Sequence, residues 1–212
     1  MTSNSSIGHD WPALADGFRL ADQAGELDAF RRRRWGNDGR ADWLAQDYLP
    51  TLTEAEGKVL YRGAGGRQAR RFGENSIADV RDAVDFLLYD TIKLENRFEE
   101  CATESGGFGL AGAGREWPSY LLTLREPTLF APWSPHTERT LRRLGMLPSG
   151  FRNGHPGLCY IDLLDILGIL ARRLRLPDFR SLDEFCYLNG RQKRAGSGQS
   201  QANPEPKLTT ED

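Results

Sequence analysis

The chain has 212 residues and a formal net charge of −2, with 39% hydrophobic and 27% charged residues. That length suits one domain with a substantial core, and the composition is that of a soluble globular protein. A balance so close to neutral argues against a protein that coats nucleic acid by bulk electrostatics, and leaves local patches as the route to phosphate.

Three cysteines, Cys101, Cys159 and Cys186, are an odd number. With no signal peptide ahead of them, they predict a reduced, cytoplasmic setting and no disulfide framework. The longest apolar stretch, residues 158–170, is broken by Asp162 and Asp165 and falls short of the roughly 20 residues that span a bilayer, so it predicts a core helix and no membrane partner. The cations are 24 arginines and 4 lysines. Arginine grips phosphate bidentately, but a GC-rich genome produces the same bias without any function.

Residues 1–10 are small and polar and are expected to be disordered. From Trp11 to about Leu52, apolar residues at Leu14, Phe18, Leu20, Leu27 and Phe30, then Trp43, Leu44, Tyr48 and Leu49, are spaced for two or three helices. Arg31, Arg32, Arg33 and Arg34 precede Trp35. They could hold phosphates beside a stacking ring, or simply end a helix where its dipole is negative; the surrounding acids favour the second.

Residues 58–74 carry five basic residues against one acid, with Gly63, Gly65 and Gly66 in the middle. No Gly-Lys-Ser or Gly-Lys-Thr follows, so this is no Walker loop. It is expected to be a basic loop or a short β-hairpin near residues 58–72, in which Arg62, Arg67, Arg70 and Arg71 either touch a nucleic-acid backbone or face solvent.

Ser76 and Asp79 form a capping-box start for a helix whose Ile77, Val80, Val84, Leu87 and Leu88 share one face. A helix over residues 94–102 buries Leu94, Phe98 and Cys101 and turns Glu99 and Glu100 to solvent. An apolar-x-Gly-x-Gly turn, Leu110 to Gly114, enters a helix over residues 115–124. The chain then breaks at Pro127 and restarts with Ser134 as N-cap and Pro135 at the first helical position. That helix ends at Gly145, and residues 146–156 connect it to an apolar helix over residues 158–174. A capping box at Ser181 to Glu184 predicts a short last helix that brings Phe185 and Tyr187 or Leu188 to the core, and residues 191–212 are expected to be a disordered tail.

Residues 108–145 resemble the core of the helix-hairpin-helix DNA glycosylase superfamily, the group that includes 8-oxoguanine glycosylase. Leu110, Gly112 and Gly114 match its hairpin, whose amides meet a DNA phosphate, and Leu141, Leu144 and Gly145 match the end of its catalytic helix. The resemblance implies phosphate contacts at Gly112, Gly114 and Arg115. It also locates the family's catalytic aspartate at Ser134, where this chain has no carboxylate; a serine cannot stabilise an oxocarbenium ion. Nor does the region after the hairpin carry the lysine nucleophile of bifunctional members. The segment is also similar to glycosylase-like helical domains of bacterial proteins linked to restriction and defence.

The three histidines, His9, His136 and His155, lack partners at metal-ligand spacing, so neither a metal nor another cofactor is expected. A Cys159–His155 or Ser134–His136 pair finds no supporting motif. The expectation is therefore a mainly α, multi-helix domain over residues 11–190 with a helix-hairpin-helix core at residues 94–145. It would bind DNA without catalysis as an accessory in DNA metabolism or phage defence. Two alternatives stand beside it. One is an interaction subunit in which Trp117 and Trp133 pack on a protein partner, with Trp117, Trp133, Ser134 and His136 as partner or base contacts. The other is an active base-excision enzyme drawing its acid from Asp162 or Asp165.

Overall fold

A computed structural model describes residues 9–37, 39–148, 151 and 154–191. The expectations for residues 1–8 and 192–212 lie outside the described residues. Within them the chain is mainly helical, and no strand occurs.

Helix α1 (Trp11–Gln23) starts on Asp10, whose Oδ1 accepts from the Ala13 amide at 3.0 Å. His9 Nε2 lies 3.1 Å from the Leu144 carbonyl, so residues 9 and 10 belong to the fold rather than to a disordered start. The run of arginines forms the end of α2 (Asp28–Arg34), and two 3-10 turns (Asp42–Leu44 and Leu49–Thr51) bring Leu44 and Leu49 into the core.

The region expected as a loop or β-hairpin is helical. Thr53 and Glu56 make a reciprocal capping box for α3 (Glu54–Ala64), which runs through Gly63 and stops where Gly65 takes φ +89°. A short turn of helix, α4 (Ala69–Phe72), follows. The helix persists through its glycine because packing outweighs the roughly 1 kcal/mol propensity cost of one glycine. Leu60, Tyr61 and Ala64 are buried on its inner face, and Tyr61 stacks on Phe72 at 4.0 Å.

The Ser76/Asp79 capping box opens α5 (Ile77–Tyr89) as the pattern requires, and α6 (Leu94–Ala102) occupies the anticipated residues. The two-glycine turn leads into α7 (Glu116–Arg125), buried along most of its length. Ser134 caps α8 (Pro135–Arg143), accepting from the Thr137 amide at 3.2 Å. Helix α9 (Pro156–Leu174) packs closely on α6, where Phe98 and Tyr160 stack at 4.0 Å. Glu99 takes part in that junction: it accepts from the Gly157 amide (2.9 Å) and lies 3.1 Å from His155 Nδ1, instead of merely facing water.

The last helix, α10 (Phe179–Arg191), starts before the expected capping box. Asp178, not Ser181, accepts from the first-turn amide, at 2.8 Å from Ser181 N. Arg191 is helical and not the first residue of a tail. Asp183 and Glu184 fall inside the helix, both buried, and α10 lies along α8. None of the described helices is long and apolar enough to cross a membrane.

Candidate functional site, an arginine-lined cleft

The four-arginine run divides by helical periodicity. Residues three apart share a helix face, so Arg31 and Arg34 point together toward α10 while Arg32 and Arg33 diverge. Arg31 holds Glu184 through two nitrogens at 2.9 and 2.6 Å. Arg34, only 4% exposed, donates from Nε to Asp183 Oδ2 (2.9 Å) and from Nη1 to the Gly63 carbonyl (2.8 Å). A buried cation with two good acceptors is tolerated; with neither it would be strongly destabilising.

These contacts draw α2, α3, α8 and α10 together around a cleft of about 720 Å³. Its walls carry eight arginines, Arg32, Arg33, Arg34, Arg40, Arg62, Arg67, Arg139 and Arg191, together with His136, and no carboxylate among the described residues. Phe30, Val59, residues 63–66, Ser134, Pro135 and Tyr187 complete the lining. Arg40 is tied by the carbonyls of Arg33 and Arg34, at 3.3 and 3.4 Å from its Nη1. Arg32, Arg33, Arg62, Arg67 and Arg139 are exposed at the rim and make no ion pair within the described residues. One sign of charge concentrated between low-dielectric walls raises the local potential and attracts anions.

His136 sits at the start of α8 with Nε2 2.8 Å from Asp183 Oδ1, and its ring meets Phe30 and Tyr187 edge-on, both at 5.8 Å. Asp183 thus serves two cleft residues at once. Burial pushes its carboxyl upward, but the Arg34 and His136 contacts outweigh burial and hold it below the usual carboxylate range. With Nε2 engaged, Nδ1 of His136 has no protein partner among the described residues.

The structure therefore brings Arg62, Arg67, Ser134 and His136 of the sequence candidates into one site. The others lie elsewhere. Arg70 and Arg71 are exposed on α4, and Arg71 pairs with Glu104. Gly112 and Gly114 have φ of +73° and +60°, the left-handed turn that glycine allows. However, the Gly112 amide donates to Glu104 Oε1 at 3.0 Å, so a side-chain carboxylate holds the position from which a phosphate would accept. Arg115 is likewise engaged: it pairs with the buried Glu138 and stacks over Trp133 at 4.3 Å.

Trp117 and Trp133 are 1% and 2% exposed. Trp133 donates its Nε1–H to Glu138 at 2.9 Å and, like Trp117, belongs to the core rather than to a contact surface. Asp162 and Asp165 are exposed on α9 and do not line the cleft. Cys159 is buried with its thiol 3.0 Å from the Phe151 carbonyl, and Ser134 Oγ is engaged with Thr137. Among the described residues no group of three or more His, Cys, Asp or Glu could hold a metal ion.

The sequence reading weighs the α2 arginines as phosphate ligands and prefers a helix end, and it misses Arg40, Arg139 and the contribution of α10. Arg32, Arg33, Arg34, Arg40, Arg139 and Arg191 reach the cleft from segments far apart in the chain. The available signal was the i, i+3 pairing of Arg31 and Arg34 against the adjacent acids Asp183 and Glu184. In comparisons with known proteins the chain matches no family model, no curated protein and no solved structure.

Proposed function

We propose that this protein binds DNA through its phosphates, with the arginine-lined cleft as the seat, and that it acts as a non-catalytic accessory in DNA metabolism or phage defence. The observation that carries this reading is the cleft wall of eight arginines and one histidine, with no carboxylate among the described residues that line it. Arginine forks match phosphate oxygens bidentately, and paired cations below the surface hold the site in shape without filling it.

The helical-hairpin route to phosphate gives way to the cleft in this proposal, because Glu104 already accepts the Gly112 amide. The interaction-subunit alternative loses its two tryptophans to the core, and the base-excision alternative finds Asp162 and Asp165 away from the cleft. Fluorescence anisotropy with labelled single-stranded and duplex DNA tests the proposal. Arg62→Glu with Arg139→Glu should abolish binding while the fold, followed by circular dichroism, persists. Unchanged affinity in that double variant would refute it.

A further inference from the structure

Resting on the nucleic-acid reading above, we propose that the cleft seats the phosphate-bearing end of a single strand, a terminal phosphomonoester, in preference to internal phosphodiesters. The lining offers donors almost exclusively. Among the described residues no Asp, Glu, Asn or Gln lines it. Of its two hydroxyls, Ser134 Oγ is engaged with Thr137, and Tyr187 Oη accepts from Arg191 at 3.0 Å. A lining so poor in acceptors is ill suited to reading the amino groups of base edges, so recognition falls mainly to the phosphate.

The cleft is closed at its base by buried Phe30, Gly63 and Ala64, and the aromatic floor is already stacked, Phe30 on Tyr187 at 4.0 Å. A volume of about 720 Å³ is that of a small-ligand site and too small for a duplex to enter. A terminal phosphate brings three acceptor oxygens and a charge of about −1.5 to −2 at neutral pH, against two non-bridging oxygens and a single charge for a diester. The confined cationic walls therefore favour the end group.

His136 is the positioned group. Asp183 engages Nε2, which leaves Nδ1 without a partner among the described residues and available to the end phosphate. Arg139, one turn further along α8, stands on the rim of the same cleft.

The test measures affinities of the full-length protein for one short single-stranded oligodeoxynucleotide prepared with a 5′-phosphate, with a 3′-phosphate, or with hydroxyls at both ends. One phosphorylated form should bind about tenfold more tightly than the hydroxyl form, as charge-assisted bonds to the extra oxygen require. His136→Gln, which keeps a donor for Asp183, should remove most of that preference by weakening the phosphorylated strand several-fold more than the hydroxyl strand. Arg139→Gln, on the exposed rim, should reduce it in the same direction and provides the readout if the first variant does not fold. Equal, salt-sensitive binding of all three strands would overturn end recognition and leave the general DNA reading standing. No binding of any strand would overturn both. Displacement of the phosphorylated strand by an equal concentration of free mononucleotide would show that the seat takes a soluble nucleotide, and would overturn the strand-end assignment.

Discussion

Arg34 and Asp183, separated by 149 residues in the chain, meet at 2.9 Å with their side chains 5% and 0% exposed. This pair joins α2 to α10, and because Asp183 also holds His136 and Arg34 also holds the Gly63 carbonyl, all four helices of the cleft depend on it.

Asp183→Asn should leave a buried guanidinium without its counter-charge and destabilise the protein by about 3–5 kcal/mol, read from urea unfolding. A replacement within about 1 kcal/mol of the parent would mean that the pair contributes little.

The same carboxyl gives the acid limb of the stability profile. It is held low in the folded protein, so its contribution is complete above the unfolded aspartate value of about 3.9 and is lost as pH falls through the lower folded value. Melting temperature should show no dependence on this group from neutral pH down to about 5 and should then fall below about 4. The fall should be shallower in Asp183→Asn. An identical acid limb in the variant would show that other carboxylates account for it.

Gly63→Ala tests the α3–α7 junction beneath the cleft. A Cβ there would lie 2.4 Å from Tyr120 Oη and 3.1 Å from the Arg34 carbonyl, and Tyr120 donates to that same carbonyl at 2.7 Å. Helix propensity favours alanine by about 1 kcal/mol, whereas overpacking and a displaced buried hydroxyl oppose it by about 1–3 kcal/mol. Net destabilisation is expected, together with weaker anion binding because Arg34 also uses the Gly63 carbonyl. A more stable variant with intact binding would contradict the packing described here.

All three cysteines are buried, and burial pushes the Cys101 thiol up to about 12 and raises those of Cys159 and Cys186. A thiol kept protonated and covered does not attack disulfide reagents. Colour release with a disulfide reagent should be negligible in the native protein and reach all three thiols in denaturant. Rapid reaction of one native thiol would indicate an opening near it.

Much of the helical order is legible because its signals are local. The Ser76/Asp79 box, the Ser134-Pro135 start and the apolar spacing of α5, α6 and α9 each depend on residues within a few positions. Residues 58–72 misled because glycine lowers helix propensity, while the compensation, Tyr61 stacked on Phe72 and bonded to the Gly112 carbonyl at 2.9 Å, is tertiary. Ser181 to Glu184 had the pattern of a cap, but Asp183 and Glu184 answer to Arg34 and Arg31 instead.

The cleft was legible only in fragments. Arg62, Arg67, Ser134 and His136 carry recognisable residue chemistry, yet nothing in their spacing says that α2 and α10 close around them. The prominent Gly-x-Gly turn drew attention to Gly112, and only the fold reveals that Glu104, eight residues earlier, accepts its amide.

The salt dependence of single-stranded DNA binding tests the central claim most directly. Neutralising about five phosphates, one for each of Arg32, Arg33, Arg62, Arg67 and Arg139, should make the logarithm of the affinity fall linearly with the logarithm of salt, at a slope of about −3.5. A flat dependence, or no binding at low salt, would contradict the cleft as a phosphate seat.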